Sequence, residues 1–378
     1  MTAKLLAGIA DKNASLYRRI QVPLGDPAAW VELDSTRIAL VRDLEMDRVR
    51  QKSHADDVTC PAEHAPPTGL SADRETATAQ ATAECLRREG VERVYGDRLL
   101  PLVYVDMIRK AGIEVEYDSD LGVTDRRQKT DEEVALLREA QGVTEEAVEM
   151  VCRTIARAEA RSDGTLEWKG RALTSEYLRL EVEKFFLEKG YGGDPAIVAA
   201  GPPASDCHYL GYGEIKTGEP VIVDIFPQNR STHYCGDCTR TVAHGDVPDE
   251  VVRMHAAVAE AKKNAIAVTK AGVTGQQVHE TTLSTLAAHG YSAGLPTEDD
   301  PDTYCAMTCG TGHGIGLAVH EPPLLDFKGP ELIVGDALTI EPGLYCRAIG
   351  AIRIEDMVIV REDGCENLNQ LPEGLDWS

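Results

Sequence analysis

Four carboxylates and one imidazole, Asp224, Asp237, His313, Glu341 and Glu355, are the residues of this chain whose types suit metal chemistry. Each acid falls on a segment that reads as a β-strand, where alternate side chains share one face. His313 lies in the stretch 307–322, MTCGTGHGIGLAVHEP, with glycines at 310, 312, 314 and 316. Such a backbone can approach other groups closely and take dihedrals closed to other residues. His320 follows seven residues later. Alone, the stretch reads equally well as a glycine-rich turn with two satisfied histidines, and only the four acids turn the reading toward chemistry. Four acids packed together cannot all stay ionised, because like charges at short range raise each other's pKa. Two divalent cations would balance the four negative charges, with His313 as a neutral donor. Oxygen-dominated ligation with a single imidazole suits Mn(II), Co(II) or Fe(II) better than a sulfur-rich zinc site. Mn(II) is the expected metal, and Zn(II) an alternative.

The elements that must position these residues are legible around them. Asp224 ends the apolar run Val221-Ile222-Val223, and Asp237 lies thirteen positions on, past a turn at 227–232. Two adjacent antiparallel strands would bring both carboxylates to one face. Glu341 ends Leu338-Thr339-Ile340, and Pro342-Gly343 breaks the strand directly after it. Arg353 and Glu355 are two apart on an alternating strand, 352–360, and so point to the same side. Before these strands stand helices. The capping box Thr130-Asp131-Glu132-Glu133 opens a long one, and a second runs from 174 to 189 before strands at 197–199, 220–226 and 234–242. The order then repeats, with helices at 249–270 and 274–289 and strands at 337–341 and 352–360. Two helices followed by strands, twice over, predict an internal duplication about a pseudo-twofold axis. A metal centre shared between the halves would sit at that axis.

Residues 1–125 read as a separate α/β unit, joined by a polar linker to a second domain, 126–378. Strands at 29–33 and 37–41 precede a polar loop at 52–71. Then follow helix 73–89, strand 91–95, helix 101–111 and strand 113–117. That βαβ order predicts a parallel sheet. No ligand cluster is recognisable there, so its expected role is structural or substrate-gating.

Composition narrows the partners. With 63 acidic and 39 basic residues among 378, the net charge is −24, which argues against nucleic acid or an anionic membrane surface. The opening twenty residues have too short an apolar run for a secretory signal, and no run reaches transmembrane length. Ten cysteines without a signal favour free thiols in a reducing cytoplasm. Cys235-Gly-Asp-Cys238 is a lone C-x-x-C, without the second pair a zinc knuckle needs.

Five motifs in this order, VDI (223–225), GDCTRT (236–241), GTGHGIGLAVHEPP (310–323), TIEPG (339–343) and IRIED (352–356), carry a family resemblance. Residues 126–378 closely resemble the pita-bread metallopeptidases: Xaa-Pro aminopeptidases, prolidases and methionine aminopeptidases. The unit before them resembles, more weakly, the creatinase-type domain of the proline-specific branch, which methionine aminopeptidases normally lack. The resemblance implies an α+β fold, a pita-bread catalytic domain with the internal duplication behind a smaller α/β creatinase-type N-terminal domain. It implies hydrolysis of the bond preceding proline in a small peptide by a hydroxide bridging two metals, in a chain expected to form a homodimer. Asp224 would then bind one metal, Asp237 and Glu355 both, and His313 and Glu341 the second, with Glu341 also the general base. His320 would stabilise the tetrahedral intermediate, and His208, in CHYLGYG, would bind substrate. Arg353 would assist proton transfer or bind a carboxylate. A non-peptidase on the same scaffold, an amidohydrolase or a lyase resembling dimethylsulfoniopropionate lyases, is the alternative. Two departures stand out. The interval between the aspartates is longer by an even number of residues, which preserves their facing. Cys309 stands where proline-specific members commonly have histidine, four positions before His313.

Overall fold

The computed structural model describes residues 1–378. It divides into two compact units, Met1–Arg126 and Arg127–Ser378. The first is a six-stranded sheet in the order Asp57–Thr59, Arg37–Leu40, Pro27–Glu32, Thr2–Ile9, Arg93–Gly96, Glu114–Tyr117. The sheet is mixed, not parallel: Thr2–Ile9 pairs antiparallel with Pro27–Glu32 and parallel with Arg93–Gly96. The βαβ pattern describes only one half of it. The first strand accounts for the difference. Its buried run Leu5-Leu6-Ala7 serves both faces, Leu5 and Ala7 joining one core and Leu6 the other. A strand buried on both sides shows no alternation and reads merely as a short apolar run. The expected loop at 52–71 also holds the edge strand Asp57–Thr59 and a 3₁₀ turn at Pro61–His64.

In the second unit the helix Asp131–Ala156 starts at the expected capping box, where Thr130 and Glu133 satisfy each other's backbone. Its buried stripe, including Val134, Leu137, Val148, Val151 and Ile155, runs along one face. Part of it shares a core with Val221, Val223 and Val242 of a three-stranded antiparallel sheet, Ile197–Ala200, Pro220–Ile225 and Cys238–Ala243. The second half repeats the theme. Helices Asp249–Val268 and Gly275–Ala288 pack on a four-stranded and a five-stranded sheet.

The stretch 352–360 is not one strand. Gly350–Arg353 belongs to the four-stranded sheet and Asp356–Val360 to the five-stranded one. Between them the chain turns to the first half of the unit. The Glu355 amide donates to the Thr239 carbonyl at 3.0 Å. The Arg353 amide donates to the Thr241 hydroxyl, which donates to the Arg353 carbonyl, each at 3.0 Å. Similarly, the expected strand 234–242 begins only at Cys238. Of the four acids, only Asp224 lies inside a strand. Asp237, Glu341 and Glu355 sit one residue beyond strand ends, where the backbone is free to aim them inward.

The glycines of 310–316 serve close approach rather than unusual dihedrals, since none has positive φ. A Cβ on Gly312 would lie 2.0 Å from the Thr339 carbonyl oxygen, and one on Gly314 2.4 Å from that of Pro322. Gly312→Ala should therefore cost about 3 kcal/mol in denaturant unfolding, as overpacking against backbone does. Gly142→Ala, in an open position on the Asp131–Ala156 helix, should stabilise by about 0.5–1 kcal/mol. Equal effects would contradict the close-approach reading.

Candidate metal centre and active-site cleft

A cavity of about 380 Å³ in the second unit is lined by every residue singled out from the sequence: Asp224, Asp237, His313, Glu341 and Glu355, together with His208, His320, Arg353 and Cys309. The strand register brings the aspartates together. Asp224 pairs with Thr239, so Asp237, two residues before Thr239, lies diagonally across on the same face. The ligand atoms of Asp237, His313 and Glu355 all lie within 4.8 Å of one another. His313 Nε2 stands 3.2 Å from Glu341 Oε1 and 3.7 Å from Asp237 Oδ2. On its other side, His313 Nδ1 donates to the Gly314 carbonyl at 3.1 Å, which fixes the ring and turns Nε2 to the acids. Glu355 Oε2 accepts from the Thr239 hydroxyl at 2.7 Å, and Glu341 Oε1 from the Thr339 hydroxyl at 3.3 Å.

The electrostatics follow from this crowding. Burial and the charges of Glu355, Asp224 and Glu341 push Asp237 well above the carboxylate range. Glu355 is raised to about 8, by burial first and then by Glu341 and Asp224. Burial raises Asp224 as well, against the pull of Arg353. Glu341 alone is lowered, because the hydrogen bond and charge of His313, with Arg353, outweigh its burial. His313 rises to about 9: burial acts to lower it, and the bond to Glu341 and the acids overcome that. Without a cation the cluster therefore holds protons at neutral pH. Four inward carboxylates and one oriented imidazole are a donor set that fits divalent ions of hard or borderline character.

Arg353 is buried, with 4% of its surface exposed, and each of its nitrogens makes one hydrogen bond. Nη2 donates to Asp224 Oδ2 at 2.5 Å, Nη1 to the Tyr345 hydroxyl at 2.8 Å and Nε to the Thr239 hydroxyl at 3.4 Å. Cys309 lies beside Tyr345, with Sγ 3.9 Å from the hydroxyl, and burial pushes its thiol up to about 11. His320 is exposed and stands edge-on to His313, with ring centroids 4.3 Å apart. His208 is exposed at the rim.

Two positioning groups escaped the sequence reading. Gln141, fully buried on the Asp131–Ala156 helix, accepts from the Asp237 amide at 2.9 Å and donates to its carbonyl at 2.7 Å. An amide in the midst of that helix's apolar stripe was the signal available. Beneath Glu355, Asp356 is held by Arg240 at 2.9 Å and Lys262 at 2.5 Å. Arg240 also donates to the Glu355 carbonyl at 2.5 Å. These ion pairs join residues more than ninety positions apart, and no local pattern announces them.

Fold and site together define a metallohydrolase of two-domain build, and the comparisons name its family. Residues 135–362 match the model of metallopeptidase family M24, and the chain belongs to that family. Membership implies divalent metal ions and the pita-bread fold, and the creatinase-type domain before it is consistent with the coverage of the similar structures. Among relatives, a protein of Mycobacterium tuberculosis named probable dipeptidase PepE is 35% identical over 183 residues, 47% of this chain and 45% of that protein. The aligned stretch thus spans under half the length of that relative. An Xaa-Pro dipeptidase of Pyrococcus horikoshii is 26% identical over 76% of each chain. In fold, the chain is similar to an Xaa-Pro dipeptidase from Bacillus anthracis, with a TM-score of 0.79 at 24% identity over 99% of this chain and 94% of that one. All ten cysteines are free, and no helix is long and apolar enough to cross a membrane.

The raised pKa values set a pH dependence for metal-free protein. An acid or imidazole whose folded pKa lies above its unfolded value contributes stability at low pH that is lost as pH rises through the folded pKa. Glu355, at about 8 from 4.5, and His313, at about 9 from 6.5, share that sign with Asp224 and Asp237. Strongly lowered acids elsewhere, such as Asp56 and Glu84 at about 2, have completed their contribution well below neutrality. The unfolding midpoint of metal-free protein should fall between about pH 5 and about pH 8, and saturating Mn(II) should remove the fall. A flat or rising midpoint would contradict the clustering.

Proposed function

We propose that this chain hydrolyses the peptide bond preceding proline, with two divalent ions, Mn(II) foremost, held by Asp224, Asp237, His313, Glu341 and Glu355. The observation that carries the reading is the convergence of these five donors in one cavity, four of them buried and Glu341 partly so. The names of the relatives support the substrate class. Bound ions of this kind supply a nucleophile by lowering the pKa of water, and they polarise the scissile carbonyl.

The protein's own groups divide the remaining work. Asp237 and Glu355 would hold both ions, Asp224 one of them, and His313 and Glu341 the other. Glu341, steadied by the Thr339 hydroxyl, would accept the proton of the attacking water. Burial and the neighbouring His313 lower the pKa of His320, so its imidazole is neutral and donates an N–H to the developing oxyanion. His208 hydrogen-bonds the substrate at the rim. Arg353 acts through Asp224 and Tyr345, holding both in place.

Metal analysis of the purified protein should find about two divalent ions per chain, and chelation should abolish cleavage of Xaa-Pro peptides. Asp237→Asn should lose metal as well as rate. His320→Ala should keep both ions and lose about 10²–10³-fold in kcat. Undiminished turnover without metal, or metal loss in His320→Ala, would overturn the assignment.

A further inference from the structure

The cavity wall carries a charge pattern that selects among proline peptides. Beyond the five proposed ligands it adds two more carboxylates, Asp194 and Asp326, and no lysine. Its one guanidinium, Arg353, is already paired with the Asp224 carboxylate and bonded to Tyr345. Two imidazoles, His208 and His320, are among the remaining donors. Facing the metal histidine is an apolar group: Leu324 pairs across the sheet with His313, which puts both side chains on one face. Leu324 is 56% exposed and lines the cavity. Asp326 follows two residues later, 3.5 Å from the buried imidazole of His279.

In a dipeptide, the free carboxylate sits on the residue just past the scissile bond and so lies inside this cavity. The walls around it include Asp194, Asp326 and Leu324, with no lysine and no unpaired guanidinium to meet it. One further residue moves the carboxylate outward by roughly 3.5 Å, and a carboxamide cap removes the charge altogether. We infer that the leaving side of this cleft is built for an uncharged carbonyl group, so that the preferred substrates are peptides of three or more residues and capped dipeptides, not free dipeptides. The inference rests on the peptidase reading above, and it departs from what the relatives' names state of those proteins.

The full chain loaded with Mn(II) should be assayed on Ala-Pro, Ala-Pro-amide and Ala-Pro-Ala. Acid and amide of Ala-Pro match in size, so their ratio isolates charge. The amide should exceed the acid in kcat/KM by about tenfold or more, with the gap carried by KM and narrowing as salt rises. Ala-Pro-Ala should follow the amide. Leu324→Arg, at an exposed position, should close or invert the acid-to-amide ratio. In calorimetry, prolinamide should bind the loaded protein more tightly than proline. Acid and amide within about twofold of each other in the wild type would overturn this inference and leave the peptidase reading standing. Turnover of none of the three would overturn both.

Discussion

Mutual repulsion among buried carboxylates is the constraint on which the rest of this structure depends. Asp224, Asp237 and Glu355 are buried, and each is pushed upward by burial and by its acidic neighbours. Glu341 stays low because His313 takes a proton against it and Arg353 adds its charge. Arg353 offsets one charge of the four. An uncompensated cluster of this kind costs several kcal/mol per buried ion. It persists where a ligand supplies the missing charge and the scaffold prevents the acids from moving apart.

The scaffold does the second job with backbone clamps from both halves of the catalytic unit. Gln141 grips the Asp237 peptide from a helix of the first half. Thr241 and Thr239, also of the first half, hold the Arg353 and Glu355 peptides of the second. Arg240 reaches the Glu355 carbonyl while pairing with Asp356, itself held by Lys262. The close approaches at Gly312 and Gly314 bring the histidine strand against its neighbours without a side chain between. Each of these donors thus sits on a fixed backbone, which is what a preorganised centre needs. The same enclosure pairs Arg353 with Asp224.

The donor set was legible in the sequence because residue type and order carry it, and the capping box at Thr130 was legible because it is local. What escaped was long-range. Nothing in Ile352-Arg353-Ile354-Glu355, without proline or glycine, marks the passage from one sheet to another. The passage is set by Thr239 and Thr241, more than one hundred residues earlier. The strand at Thr2–Ile9 escaped because burial on both faces erases alternation, and with it went the antiparallel half of the first sheet. Gln141 looked like one polar residue on an apolar stripe until the Asp237 peptide was placed against it.

The central claim is that the metal ions replace protons in a cluster that cannot otherwise hold its charge. The direct measurement is the number of protons released when Mn(II) binds metal-free protein at pH 7, from calorimetry in buffers of differing ionisation enthalpy. With Glu355 at about 8, His313 at about 9 and Asp237 raised well above the carboxylate range, the account predicts release of at least about one proton per chain. Binding with no proton release would mean that the acids are already ionised without metal, and would contradict it.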